Sequence, residues 1–257
     1  LDQVNIEALL NSSQNIAEQT FAQDNSGFHT LEYLIFLNGN PRDISSISSR
    51  QKEYIYYVTK KLLDDTVRLW AEWHGEKAIS NQRDAELIEN DEITIAGGED
   101  GFAELLRNPN MYQKYKTQNQ VLEEIIDNGL CNIANEVGTQ KIGNPYREQD
   151  VYAVESWYSF NSLDDYENNI ISIENSYLGG PAATRKSETS MSAYVASKNS
   201  DLDAEITKAI SDARKAIRDI PAPFRDQVTK GKVATIDTAM DKLAELNKSL
   251  EKIKSVL

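Results

Sequence analysis

Apolar residues recur along this chain at intervals of three and four over long windows, so the pattern predicts helices and leaves strands hard to find. The first segment places Ile6, Leu9, Leu10, Ile16 and Phe21 on one face and breaks at Asp24-Asn25-Ser26-Gly27. A short helix is expected next, from about Phe28 to Leu37, stopping at Asn38-Gly39-Asn40-Pro41. It is apolar nearly all round, which predicts a place inside the protein. After a capping signal at Ser45/Ser46, a long helix reads from Ile47 to Trp73, with Tyr54, Ile55, Val58, Leu62, Leu69 and Trp73 as its stripe. Gly75 ends it.

The stretch Glu76 to Asp100 is polar, acidic and weakly patterned, with Gly97-Gly98 inside it, and reads as a linker or long functional loop. A domain boundary placed there divides the chain into residues 1–97 and 98–257. Beyond it, a helix covers roughly Met111 to Val137 and stops near Gly138, before an irregular segment through Gly143-Asn144-Pro145. The pattern turns helical again from Asp150 through Val154, Trp157 and Tyr158. It is interrupted at Asn161-Ser162 and resumes through Ile170, Ile173 and Tyr177 to Gly179-Gly180-Pro181, with Ser162 and Asp165 spaced as a capping pair. Three further pieces, Glu188 to Ser197, Asp201 to Ile220 and Arg225 to Val256, are divided by Asn199-Ser200 and Pro221-Ala222-Pro223. The expected fold class is all-α, an up-and-down arrangement joined by short connections, with two helical bundles that could be related. No repeat at a solenoid period is visible.

Composition narrows the partners. The 257 residues carry 27 Lys+Arg against 41 Asp+Glu, a net charge of −14, and 40% are hydrophobic. Such a chain affords a buried core, while its acidic field opposes nucleic acid and anionic membranes and favours cations. Cys131 is the single cysteine and lies in the apolar run Leu130-Cys131-Asn132-Ile133, which reads as a small core residue. No window has the apolar length of a transmembrane segment. The chain begins at Leu1 rather than methionine, from which a processed or shortened form is expected.

Only two histidines occur. His29 and Glu32 stand three residues apart, which on a helix brings imidazole and carboxylate to one face within reach of one divalent ion. Glu32 is embedded in Tyr33-Leu34-Ile35-Phe36, where an unpaired carboxylate would cost several kcal/mol, so something must satisfy it. The spacing admits either a metal or ligand site or a structural His/Glu pair. His74, beside Gly75, reads as a cation at a helix C-terminus, with chelation by Glu72 and Glu76 as the alternative. Glu155 and Ser156 interrupt an aromatic helical pattern; they either face His29 across a domain interface or turn to helix carbonyls and water. The HExxH helix, the phosphate loop, the dinucleotide fingerprint and the GxSxG elbow are all absent from the sequence.

The segment Gly27-Phe28-His29-Thr30-Leu31-Glu32-Tyr33-Leu34-Ile35-Phe36 resembles the imelysin family, whose hallmark is Gly-x-His-x-x-Glu followed by an apolar run. The resemblance continues at Glu155 to Ser162, at Asn175-Ser176-Tyr177-Leu178-Gly179, at Ser190-Met191-Ser192 and at Ile220 to Phe224. It implies an all-helical cell-envelope protein, periplasmic or lipid-anchored to the outer membrane, made of two related bundles with the motif near their interface. Family chains usually carry one or two more helices before the motif, so the first bundle is expected to lack its amino-terminal helices here.

Two functions follow from the resemblance. One is binding of iron, another divalent cation or a metal-bearing ligand in metal uptake, with His29, Glu32 and Glu155 as metal ligands and envelope proteins as possible partners. The other is a metallopeptidase in which Glu32 or Glu155 activates metal-bound water. The single motif histidine leaves a zinc site incomplete, which favours binding over hydrolysis. Gly27 carries over directly; Arg50 and Ser156 carry over as groups that pair with Glu32 or orient a ligand. A structural or glycan-binding surface protein with no metal is the third reading.

Overall fold

Asp2 caps the first helix, α1 (Gln3–Leu10), by accepting the Asn5 backbone N–H at 3.0 Å. The computed structural model describes residues 2–19, 25–90, 99–109 and 115–257. Phe21, Asp24 and Met111, and the expected boundary at 97/98, lie outside the described residues. The chain divides into two units, residues 1–118 and 119–257.

In the first unit α1 buries Ile6, and a single turn at Ile16–Glu18 buries Ile16. Next comes α2 (Phe28–Ile35), which is shorter and less enclosed than its composition predicts. Only Thr30 and Leu34 are buried, and Phe28 is 76% exposed. The chain then leaves the helix for a two-residue antiparallel pair, β1 (Phe36–Leu37) with β2 (Asn40–Pro41). Asn38 and Gly39 both take positive φ, 50° and 78°, as a tight Asn-Gly hairpin turn requires. The signal that reads as a helix stop is therefore a hairpin.

The long helix α3 (Ser49–His74) is capped by Ser48 rather than Ser45 or Ser46. Ser48 Oγ accepts the Gln51 N–H at 3.1 Å, and the Gln51 side chain accepts the Ser48 N–H at 2.9 Å. Ser45 and Ser46 sit one turn earlier, in a short turn capped by Asp43. Tyr54 and Val58 join Ile6, Ile16 and Leu34 in one core. Leu69 and Trp73, placed on the stripe by periodicity, are exposed. The polar stretch after Gly75 holds a short turn and a helix, α4 (Gln82–Asn90), whose Ile88 packs with Ala71 and Ile79. The following helix α5 (Gly101–Arg107) packs on α3, so this segment belongs to the first unit.

The second unit is built around an unbroken run of helix. It comprises α6 (Gln118–Glu124), α7 (Asn132–Glu136) and α8 (Asn144–Glu148), joined by wider π-helical turns at Ile125–Cys131 and Val137–Gly143. The stop expected at Gly138 does not occur. Gly138 is placed for packing: a Cβ there would stand 3.1 Å from the Cβ of Leu243 on the neighbouring helix. Pro145 has no N–H for the Lys141 carbonyl one turn back, and that carbonyl accepts the Tyr166 hydroxyl at 3.1 Å. The run ends at Gln149, in the left-handed conformation.

From Asp150 the expected helix is replaced by one short turn, Val151–Ala153, and a loop in which Ser156 and Phe160 take positive φ. Four more helices follow: α9 (Ser162–Leu178), α10 (Met191–Lys198), α11 (Ser200–Arg218) and the single-turn α12 (Arg225–Val228). The last helix, α13 (Ala234–Glu251), is separated from α12 by a bend at Thr229–Val233 that apolar periodicity does not reveal. The long run, α9, α11 and α13 close into a four-membered ring of helices. Residues such as Ile126, Tyr166, Ile170, Ile206, Ile210, Leu243 and Leu246 face its centre. The fold is all-α, as the periodicity predicts.

Candidate functional site

The motif of the first unit is set up by Gly27, the residue before α2. Its φ of 88° and ψ of −173° fall in a region only glycine enters readily. Just ahead of it, the Asn25 carbonyl accepts the Tyr54 hydroxyl at 2.7 Å, tying the entry of α2 to α3. Thr30, wholly buried, donates its hydroxyl to the Ser26 carbonyl at 3.0 Å. The far end is fixed by Arg42, whose guanidinium donates to the Phe36 carbonyl at 3.0 Å and the Tyr33 carbonyl at 3.3 Å. Tyr33 donates its hydroxyl to Glu7 of α1.

Within this frame, one helical turn of α2 brings His29 Nδ1 to 2.9 Å from Glu32 Oε2. The imidazole is 48% exposed and the carboxylate side chain 9%. The pair thus has an open nitrogen-bearing side and a largely enclosed acid. Sequence spacing anticipates this juxtaposition, and the burial of Glu32 agrees with its apolar neighbours.

Arg50 does other work. It donates to the Leu9 carbonyl at 3.3 Å, to the Gln14 carbonyl, and to Glu53 at 3.3 Å, so it fastens the segment after α1 onto α3. His74 ends α3 with its ring 5.1 Å from that of Trp70, and the Gly75 N–H closes the helix on the Ala71 carbonyl.

In the second unit Glu155 and Ser156 lie in the loop before α9, not on a helix. Glu155 pairs with Lys141, 3.1 Å from Oε2. Ser156 donates to Asp165 Oδ2, and Asn161 Nδ2 donates to Asp165 Oδ1 at 2.8 Å. Ser162 is the first residue of α9 and turns its hydroxyl to the Glu155 carbonyl, so no Ser162/Asp165 capping pair forms. Arg225 completes the loop: it donates to the Trp157 carbonyl at 3.1 Å and stacks 3.7 Å over the Trp157 ring and 4.8 Å from that of Phe160. The Tyr166 hydroxyl beside this loop is pushed up by burial, with the Glu155 charge adding to it.

Lys141 and Arg225 escape the sequence pattern, because they lie 14 and 68 positions from their loop partners Glu155 and Trp157 and no local spacing marks them. Asp165 is marked by its spacing to Ser162, but the partners the structure gives it are Ser156 and Asn161.

The donor set of the first unit suits a cation in part. His29 Nδ1 and Glu32 Oε2, 2.9 Å apart in a direct hydrogen bond, are the nitrogen and oxygen donors that would hold it. Among the described residues no group of three or more His, Cys, Asp and Glu side chains gathers into a metal cluster. His29 and Glu32 would therefore hold two positions and leave the others to water or to groups on the ligand itself.

An all-helical fold with a Gly-x-His-x-x-Glu turn defines the class. The imelysin family pattern matches residues 2–250, and the chain belongs to that family. It is 26% identical over 233 residues to the iron-regulated protein A of Synechococcus elongatus, covering 88% of this chain and 56% of that protein. The chain thus spans little more than half the length of this curated relative. The crystal structure of an iron-regulated protein A precursor from Parabacteroides distasonis superposes with a TM-score of 0.80 at 30% identity, over 99% of this chain and 72% of that one. An imelysin peptidase from Bacteroides ovatus gives 0.62 at 32% identity, over 94% and 57%. No described helix of this chain is long and apolar enough to cross a membrane.

Proposed function

We propose that this chain is a cell-envelope protein that binds an iron or other divalent cation, or a small metal-bearing ligand, through His29 and Glu32, in the service of metal uptake. The observation that carries the reading is the 2.9 Å His29–Glu32 pair on one face of α2, its imidazole open and its acid enclosed. The iron-regulated names of two relatives support the choice of metal. Gly27 sets the entry angle that presents His29. Enclosure of Glu32 favours ligation, because neutralising a desolvated carboxylate with a cation offsets the cost of burying it. The bound ion would act as cargo, its remaining positions filled by oxygen donors.

The peptidase named in the Bacteroides ovatus relative supplies the competing reading. Metal-activated hydrolysis needs a general base and an open metal position beside the scissile bond. Calorimetric titration of Fe(II), Zn(II) and Cu(II) into chelator-treated wild type and His29→Ala tests the proposal. Saturable binding in wild type that falls at least tenfold in His29→Ala is expected. Equal binding in both proteins overturns it. Metal-dependent cleavage of an unstructured peptide, lost in the same variant, would replace uptake with hydrolysis. Running Glu155→Gln in the same titration reads whether that carboxylate contributes.

A further inference from the structure

Between α9 and α11 the second unit holds a groove of about 240 Å³, lined by apolar and cationic groups together. Leu178 and the buried Ile210 are its apolar lining. Thr207, Ser211, Arg214 and Arg218 line it from α11; their spacing of four, three and four puts them on one helical face. Glu174 closes the side from α9.

The charge here runs against the rest of the chain. Of the charged side chains that line it, Arg214 and Arg218 exceed Glu174 by one positive charge, in a protein of net −14, while Glu167 and Arg185 pair with this set from outside the lining. Arg214 gives Nε and Nη2 to Glu167 at 3.2 and 2.9 Å and Nη1 to Glu174, which uses three of its five N–H groups. These bonds hold the guanidinium rigid. Arg218 donates to Glu167 through Nη1 alone and is half exposed, so four donors remain to it. Among the described residues neither the Thr207 nor the Ser211 hydroxyl has a partner, although helical Ser and Thr commonly bond back to a carbonyl one turn away.

We propose that this groove binds the carboxylate of a small aliphatic acid. Arg218 and the remaining Arg214 donors take the carboxylate oxygens, Ser211 and Thr207 add hydroxyl donors, and the alkyl end covers Leu178 and Ile210. A monoanion matches the single excess charge, and Glu174 on the wall opposes a dianion. This site is independent of the His29–Glu32 pair.

The test is a nuclear magnetic resonance titration of the full isotope-labelled chain, following the Arg side-chain Nε–Hε signals. Butyrate, acetate, orthophosphate and sodium chloride are added at matched ionic strength. Saturable shifts confined to the Arg214 and Arg218 signals are expected with butyrate. Butyrate should bind several-fold tighter than acetate, because part of the lining is apolar, and phosphate should bind weaker than either. Arg218→Gln, on a half-exposed side chain, should weaken butyrate at least tenfold, and Ser211→Ala two- to fivefold. Shifts that sodium chloride reproduces, equal affinity for acetate and butyrate, or unchanged affinity in both variants would overturn the proposal.

Discussion

Gly75 and Gly101 meet backbone against backbone. A Cβ on Gly75 would lie 2.3 Å from the Glu99 carbonyl oxygen and 2.5 Å from the Gly101 nitrogen; one on Gly101 would lie 2.2 Å from the Gly75 nitrogen. Both residues take positive φ, 84° and 77°. The end of α3 can therefore touch the start of α5 only where neither chain has a side chain. Lys77 reinforces the junction, its ammonium 2.9 Å from Glu99 and 3.0 Å from Asp100. Replacing either glycine with alanine is expected to cost about 2 kcal/mol or more, combining backbone strain with overlap. Urea titration followed by tryptophan fluorescence, through Trp70 and Trp73, reads the loss; an unchanged midpoint would contradict the close contact.

Gly27 presents a different case, because a Cβ there would meet nothing within 4 Å. The cost of Gly27→Ala is conformational alone, about 1–3 kcal/mol if φ stays at its native value. The chain can escape that strain by changing the entry angle of α2, which moves His29. The expected result is modest loss of stability with a large loss of metal affinity, measured by thermal unfolding beside calorimetry.

Arg50 ties the Leu9 and Gln14 carbonyls to α3 while its own Nε is buried with no partner among the described residues. Arg50→Ala releases both carbonyls and is expected to cost about 1–3 kcal/mol. Hydrogen exchange should show α1 amides losing protection before those of α13. A ligand-orienting role would instead leave α1 protection intact.

Cys131 titrates far from its usual range. Burial pushes its thiol up to about 11 from 9.0, and the charges of Glu251 and Asp127 add to the effect. Above pH 9 the unfolded chain releases a proton that the folded chain retains. The stability contributed by the protonated thiol is complete below about pH 9 and is lost as pH rises through 11. Cys131→Ala should flatten that part of the stability profile. At pH 8 the folded thiol should alkylate far more slowly than in urea, since burial lowers the fraction present as thiolate.

Wherever local information decides structure, the sequence is a good guide. The left-handed stop at Gly179 and the limits of α9 and α11 follow from side chains that act within one or two turns of themselves. The His29–Glu32 pair belongs to the same category, because a spacing of three residues is a geometric statement once the helix is granted. Gly138 and Pro145 mislead for the opposite reason. Their breaking tendency is local, but Leu243 fills the space beside one and Tyr166 supplies the hydrogen bond forgone by the other.

What the sequence by itself determined is the all-helical class, the ends of helices such as α3, α9 and α11 to within about two residues, and the approach of His29 to Glu32, all set by interactions spanning a few residues. The tertiary structure alone decided that Glu155 pairs with Lys141, that Ser156 bonds to Asp165, that Arg50 serves the first unit's packing and that Gly75 meets Gly101. Each of these joins groups that no helical repeat links. Only packing selects such contacts, because they form when whole elements come together and bury their apolar faces.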